Sequence, residues 1–159
     1  MTTKTEVLAA AADLIEKDGL AGLSVREAAR RAGVSHNAPY RHFPDRDSLL
    51  AALAEQGFDE LGKAIEGRTG RDLGEAYVRF ALTHPQRFRL MFATRKAAAM
   101  HQRFAQAFGH LGDSTEIAAA AAWALVHGLA QLLVERHLEG DEAFVKRVLG
   151  AMRFAQRSA

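Results

Sequence analysis

Residues 24–46 include many side chains of the types that bind nucleic acid. Arginine and histidine neutralise phosphates, whereas asparagine and tyrosine hydrogen-bond to base edges or phosphates. The segment supplies Arg26, Arg30, Arg31, His36, Asn37, Tyr40, Arg41 and His42. From Ser24 to Phe43 the only acid is Glu27, so the four arginines leave a local excess of three positive charges. Since the whole chain has a formal net charge of only +2, binding to DNA would depend on this cluster.

Local signals predict that the same residues form two short helices and a tight turn. Ser24 and Glu27 have the spacing of a capping box, in which each side chain bonds the backbone N–H of the other and starts a helix. Gly33 supplies the positive φ with which a chain leaves a helix sharply, and Ser35 is an N-cap for a second helix over residues 36–43. This order is typical of a helix-turn-helix. The alternative is a small three-helix unit with an ordinary solvated basic face.

The stretch LSVREAARRAGVSHNAPYRHFPDRDSLL resembles the DNA-binding region of the TetR family of bacterial transcriptional regulators. Its tail, YRHF followed by DRD and two leucines, separates this family from other helix-turn-helix proteins, and the likeness is specific across residues 5–55. The resemblance implies an all-α protein with an N-terminal three-helix head (residues 1–46). The remainder (residues 47–159) is then a helical domain for effector binding and dimerisation.

Two residues of the second helix depart from the family pattern. The family more often has a hydroxyl residue at the position of Ala38 and an aliphatic residue at that of Pro39. Proline removes an early backbone hydrogen bond, so the first turn of this helix is expected to be distorted or 3₁₀.

A DNA-bound regulator of this type would use its exposed polar residues in two ways. We expect His36, Asn37 and Tyr40 to face the major groove, and Arg26 to reach a guanine or a phosphate. The residues expected to hold phosphates are Ser35, Arg41, His42 and Arg46. Arg46 lies at the start of a long helix, where free N–H groups also favour an anion. The alternative for Arg46 is a solvated side chain.

Bulky side chains in the second part of the chain form a core, line a cavity for a small apolar ligand, or do both. They are Tyr77, Phe80, Phe88, Met91, Phe92, Met100, Phe104, Trp123 and His127. The segments HPQRFRLMF (84–92) and WALVHGL (123–129) resemble a TetR-family C-terminal domain type marked by a Trp-(x)n-His-Gly helix. That resemblance implies an effector site in the helical bundle. His127 is then a polar handle for the cavity, or alternatively a core histidine bonded to backbone.

The last two helices are predicted to form a dimer surface. The alanines at 118–122 and Gly128 allow close helix approach, and Gly150 lowers helix propensity within the last helix. The predicted interface residues are Ala122, Leu125, Leu129, Leu132, Phe144, Val148 and Ala151. By resemblance, the two helices pair with their copies as a four-helix bundle, so that two heads read a palindrome.

Other classes of protein are not supported by the sequence. There is no cysteine, no histidine pair has metal-ligand spacing, and no glycine-rich phosphate loop follows a strand. We therefore predict no enzymatic activity, no metal and no cofactor. The uncharged run 117–134 is rich in alanine and is expected to be a buried helix rather than a membrane span.

The sequence thus predicts a cytoplasmic regulator, without a signal peptide, that binds three partners. These are a double-stranded DNA operator, a second copy of the chain and a small-molecule effector that releases the repressor from a palindromic site. The alternative is an apolar-ligand carrier or adaptor whose head has lost DNA affinity.

Overall fold

The computed structural model describes residues 3–35, 37–93 and 115–151. Three predicted site residues, His36, Met100 and Phe104, lie outside these ranges. Within the described ranges the chain forms helices and no strand, so the predicted all-α class is confirmed. The α-helices are α1 (Thr3–Asp18), α2 (Val25–Ala32), α3 (Arg46–Ile65), α4 (Gly70–Thr83), α5 (Pro85–Ala93), α6 (Thr115–Val134) and α7 (Glu142–Ala151). Two 3₁₀ turns, Leu20–Gly22 and Pro39–Arg41, lie on either side of α2.

The described residues divide into two compact units. The first unit contains the residues up to Asp59 and those from His84 to Ala93. The second contains residues 60–83 and 115–151. Helix α3 contributes residues to both units, since the division follows Asp59. The predicted domain boundary after residue 46 stays a prediction.

The core of the first unit is built on the apolar face of α1. Val7, Ala11, Leu14 and Ile15 recur at helical spacing and are buried. They pack in one cluster with Leu23, Val25, Ala28, Phe43, Leu49, Leu53 and Leu90. Leu20 is partly buried against the same cluster, so the connector after α1 closes the core.

Side-chain caps start α2 and α3. The Ser24 hydroxyl accepts a hydrogen bond from the Glu27 backbone N–H at 3.1 Å, as predicted. The return half of the predicted capping box is wrong, because the Glu27 carboxylate accepts from the Arg30 guanidinium instead, at 2.6 and 2.8 Å. A cation one turn further along the helix attracts the carboxylate more strongly than a neutral N–H group does. At α3, the Asp45 carboxylate accepts from the Ser48 N–H at 2.7 Å, so Asp45 caps this helix.

Helix α5 is held in the first unit by contacts from α1 and α3. Glu16 on α1 accepts from the backbone N–H groups of Gln86 and Arg87, at 3.0 and 2.9 Å. Gly57 on α3 lies against Met91, since a Cβ atom at Gly57 would come within 2.6 Å of the Met91 Sδ. The start of α5 is therefore capped by a residue 70 positions earlier in the chain.

The second unit packs α4 against α6 and α7. Leu73, Tyr77, Val78 and Ala81 form the buried side of α4. Gly74 allows a close approach, because a Cβ atom there would lie 3.2 Å from Leu149 on α7 and 3.4 Å from Val126 on α6. Among the described residues, no helix combines the length and the hydrophobicity that crossing a bilayer requires.

Candidate nucleic-acid interface and effector-site residues

The corner between α2 and the second 3₁₀ turn carries the predicted DNA contacts. Gly33 ends α2 in the left-handed conformation, with a φ of 69°, as its position predicts. The predicted α-helix over residues 36–43 is wrong. Its described residues form a turn at Asn37 and Ala38 and then the 3₁₀ turn Pro39–Arg41. The expected 3₁₀ geometry near Pro39 is confirmed, because proline provides no backbone N–H for an α-helical bond at that position.

Backbone hydrogen bonds and buried side chains hold this turn in place. The N–H groups of His42 and Phe43 both donate to the Pro39 carbonyl, at 2.9 and 2.8 Å. The Ala38 N–H donates to the Ser35 carbonyl at 3.1 Å. Pro39 and Phe43 are buried beneath the turn, and Phe43 belongs to the core cluster of the first unit. The turn is therefore a fixed support for the side chains that point away from it.

The described residues predicted to touch DNA all lie on the surface. They are Arg26, Ser35, Asn37, Tyr40, Arg41, His42 and Arg46. Tyr40 is a large apolar ring with 41% of its surface exposed, although Pro39 next to it is buried. Six of these residues follow one another along α2, the turn after it and the second 3₁₀ turn with its C-cap, whereas Arg46 begins α3.

Ion pairs within the unit occupy two of the four arginines between Ser24 and Phe43. Arg30 is paired with Glu27, and this pairing holds the pKa of the Glu27 carboxyl below its usual value. Arg31 Nη2 lies 3.7 Å from the Asp18 carboxylate at the end of α1. The sequence reasoning missed Asp18, because the pair joins residues of two different helices and has no local signal.

Arg46 has a geometry that its position alone did not predict. Its Nε donates to the Leu23 carbonyl at 3.0 Å, and its Nη2 donates to the Leu20 carbonyl at 2.6 Å. Leu20 begins the first 3₁₀ turn, and Leu23 follows that turn and precedes the N-cap of α2. The guanidinium is therefore engaged with backbone oxygens of the connector between α1 and α2.

The predicted effector residues fall into two groups. In the first unit, the rings of Phe88 and Phe92 on α5 pack at a tilt of 56° with their centroids 4.9 Å apart, and Phe92 meets Phe58 of α3 edge-on at 5.6 Å. Met91 is fully buried beside them. The second group is Tyr77, Phe80, Trp123 and His127, in the second unit.

A hydrogen bond between Tyr77 and His127 is the polar feature of the second group. Tyr77 is fully buried, and its hydroxyl lies 2.9 Å from His127 Nδ1. The Trp123 ring lies on the same face of α6, with its centroid 6.0 Å from that of His127. Burial raises the pKa of the Tyr77 phenol, with a small opposing contribution from the Trp123 indole, and burial lowers the pKa of His127. Both groups are therefore neutral near pH 7.

This pairing gives His127 a side-chain hydrogen-bond partner that the sequence did not predict. No local pattern predicts it, since 50 residues separate the two side chains. If the phenol donates to Nδ1, the imidazole carries its proton on Nε2 and presents a donor there. Such a donor suits an acceptor group on an otherwise apolar ligand.

The predicted dimer residues occupy both sides of α6 and one side of α7. Leu125 and Leu132 are 52% and 41% exposed, whereas Ala122 and Leu129 are buried within the chain itself. On α7, Phe144 and Val148 are half-buried and Ala151 is exposed. The prediction omitted Ile117, which is 76% exposed and lies two turns before Leu125 on the same face. The spacing of 117, 121, 125, 128 and 132 would have identified it.

Comparisons with known proteins cover both parts of the chain. The family model described as bacterial regulatory proteins of the tetR family matches residues 7–53. A second family model, described as a tetracyclin repressor-like C-terminal domain, matches residues 71–152. The solved structure of a protein with unknown function from Rhodococcus sp. RHA1 is similar at 34% identity with a TM-score of 0.79, and the match covers 95% of this chain and 91% of that chain.

Two further solved structures share the fold at lower identity. NalD, the secondary repressor of the MexAB-OprM multidrug efflux pump in Pseudomonas aeruginosa, is 23% identical with a TM-score of 0.61. That match covers 94% of this chain and 93% of NalD. A TetR variant from Acinetobacter baumannii AYE, in complex with minocycline, is 20% identical with a TM-score of 0.62 over 98% of both chains.

Proposed function

Because the chain belongs to the TetR family of bacterial transcriptional regulators, which are non-enzymatic DNA-binding proteins, we propose that it is a homodimeric repressor. It occupies a palindromic operator and is released when a small-molecule effector binds. The domain from residue 1 to 46 binds DNA, and residues 47–159 bind the effector and the second copy. The protein acts in the cytoplasm.

The observation that carries this proposal is the corner of exposed polar residues on a buried support. Asn37 and Tyr40 are exposed, while Pro39 and Phe43 between and after them are buried. In the bound state His36, Asn37 and Tyr40 face the major groove, where asparagine pairs with adenine in a bidentate way. Arg26 reaches a guanine or a phosphate from α2, and Ser35, Arg41 and His42 hold phosphates.

The effector site is proposed for the aromatic residues of the helices after α3. The hydrogen-bonded pair of Tyr77 and His127 supports this site, because a neutral polar group beside aromatic rings is typical of small-molecule binding sites. The structure from Acinetobacter baumannii that holds minocycline offers an analogy for such a ligand on the same fold.

Release from the operator follows from a shift between two populations. An effector that binds better to the state in which the heads are wrongly spaced lowers DNA affinity by its differential affinity for the two states. A hundredfold release needs about 2.7 kcal/mol of such coupling. We infer that α3 transmits this coupling, since it begins beside the DNA-binding corner and contributes residues to both units.

Binding-site selection on random double-stranded DNA with the purified protein tests the proposal. We expect a palindromic consensus whose half-sites are one helical turn apart, or a multiple of it, because two identical heads read two identical half-sites. Binding should weaken steeply as salt rises, since each neutralised phosphate releases counterions. A protein that enriches no sequence and ignores bulk DNA even at low ionic strength is instead a carrier or adaptor.

A further inference from the structure

The first residue of α3 carries its positive charge at the end of a helix where a cation is disfavoured. The N-terminal N–H groups of a helix form the positive end of its dipole. Arg46 is the first residue of α3, and Asp45 supplies the cap immediately before it. The backbone acceptors of its guanidinium lie elsewhere in the chain.

Those acceptors are two carbonyl groups of the connector between α1 and α2. Nε donates to Leu23 at 3.0 Å and Nη2 donates to Leu20 at 2.6 Å, so one planar group joins both ends of the first 3₁₀ turn. The turn is closed by its own hydrogen bond, from the Leu23 N–H to the Leu20 carbonyl, at 3.3 Å. Bonds from a charged donor are about twice as strong as those between neutral groups.

The position of these carbonyls links Arg46 to the corner between α2 and the second 3₁₀ turn, which we call the reading corner. Leu23 is followed by Ser24, the N-cap of α2, and α2 leads through Gly33 to the residues proposed to contact bases. Leu23 is itself buried in the core of the first unit. A side chain that holds its carbonyl therefore fixes the start of α2 against the start of α3.

We propose that Arg46 is a positioning residue, which sets α2 and the reading corner against α3 by bridging the carbonyls of Leu20 and Leu23. This inference rests on the proposed DNA-binding function and replaces the phosphate contact expected for Arg46 from its position. Arg46 affects operator affinity through the geometry of the corner, and the charge of its guanidinium is already engaged with backbone oxygens.

A lysine at position 46 distinguishes a bridge between two carbonyls from a phosphate contact. It keeps the positive charge and serves as a point charge for phosphate, but it lacks the planar fork that donates in two directions. A phosphate contact is therefore preserved in Arg46→Lys, whereas a two-carbonyl bridge is not.

The experiment measures operator affinity over a range of salt concentrations for wild type, Arg46→Lys and Arg46→Gln. We expect both variants to bind about tenfold more weakly, with the slope of log affinity against log salt unchanged. Arg41→Gln serves as the phosphate reference and should lower the magnitude of that slope by about one. Arg68→Gln is the matched control, because Arg68 also donates its Nε to a backbone carbonyl, that of Ala64 at the other end of α3. It should bind as wild type does.

Amide hydrogen exchange provides a second readout that needs no DNA. In Arg46→Lys the amides of Leu23 and Ala28, which bond within the first 3₁₀ turn and the first turn of α2, should exchange about tenfold faster. Amides of α4 should keep their protection. If the wild type binds no DNA, the proposed function is wrong. Amide exchange still tests whether Arg46 bridges the two carbonyls. The inference would be overturned if Arg46→Lys binds the operator with normal affinity, Arg46→Gln shows a flatter salt dependence, and amide exchange is unchanged in both variants. Arg46 would then be a phosphate contact.

Discussion

His127 links the stability of the second unit to pH, because its half-buried imidazole is hydrogen-bonded to a fully buried phenol. Burial lowers the pKa of His127 from its ordinary value of 6.5. Between the lowered folded pKa and the unfolded pKa, the unfolded chain binds more protons than the folded chain. The stabilisation from neutral His127 is therefore complete above about 6.5 and is lost as pH falls through the folded pKa.

Replacing His127 with glutamine should remove this part of the pH dependence. The glutamine carbonyl still accepts a hydrogen bond from Tyr77, but the side chain does not titrate. We expect the free energy of unfolding of wild type to decrease more than that of His127→Gln between about pH 7 and about pH 5. Denaturant titrations at several pH values measure the difference. His137→Gln, at an exposed position after α6, should follow wild type, and equal curves for wild type and His127→Gln would contradict the prediction.

Asn37 is the residue proposed to read a base. A bidentate contact from asparagine to adenine discriminates against other bases by about 1–3 kcal/mol. In Asn37→Ala, binding-site selection should therefore give a consensus with one relaxed position in each half-site and the other positions unchanged. Arg41→Ala, two residues beyond Pro39 on the same turn, should weaken binding to all sequences and keep the full consensus. An unchanged consensus in Asn37→Ala would show that Asn37 does not contact a base.

At the level of helices, the cap of α5 depends on a residue of α1. Both oxygens of Glu16 accept from backbone N–H groups in the first turn of α5, where a negative charge also interacts favourably with the helix dipole. Pro85 begins the helix and His84 precedes it, so no serine, threonine or aspartate is present at the start to cap it. Helix α5 is tied in this way to the helix that supports the reading corner.

Glu16→Ala should destabilise the first unit by about 0.5–2 kcal/mol, the range typical of the loss of a helix cap. Exchange of the amide protons of Gln86 and Arg87 should accelerate, because both lose their acceptor. Asp13→Ala removes an exposed acid from the same helix and provides the control. Equal unfolding free energies for the two variants would show that the cap contributes little.

The helices and their caps could be predicted from the sequence where the signal is local. Ser24, Gly33 and Asp45 each act within four residues of their partners, and their roles follow from residue type and spacing. Pro39 predicted the 3₁₀ geometry correctly, but the α-helix expected around it did not form. The contacts of Glu16, Asp18 and Arg46 join residues that are distant in sequence, so no periodicity or motif reports them.

At the scale of the whole molecule, the exposed face of α6 is the surface proposed to bind a second copy. Ile117, Leu125 and Leu132 are large apolar side chains on this face, and solvent contact is unfavourable for each of them. Gly128 lies between the last two. A Cβ atom at Gly128 would meet no atom within 4 Å in the described part of the chain. A glycine within a helix costs about 1 kcal/mol relative to alanine, and a close partner backbone gives a reason for it.

Gly128→Ala should therefore have opposite effects on the single chain and on the dimer. Helix propensity stabilises the chain by up to about 1 kcal/mol, while the added methyl group keeps the partner helix at a distance. Sedimentation of a dilution series should give a weaker dimer for Gly128→Ala and a monomer for Leu125→Glu, which places a charge in the interface. Leu82→Glu changes another exposed leucine, on α4, and should leave the dimer intact.

The same variants test whether dimerisation supports DNA binding. A monomeric Leu125→Glu chain retains its reading corner, so it should bind an isolated half-site about as well as wild type at the same concentration of heads. It should lose the additional affinity for the palindrome, because the second head no longer arrives at a high effective concentration. A Leu125→Glu protein that stays dimeric, or a monomer that still prefers the palindrome over the half-site, would place the dimer surface elsewhere on the chain.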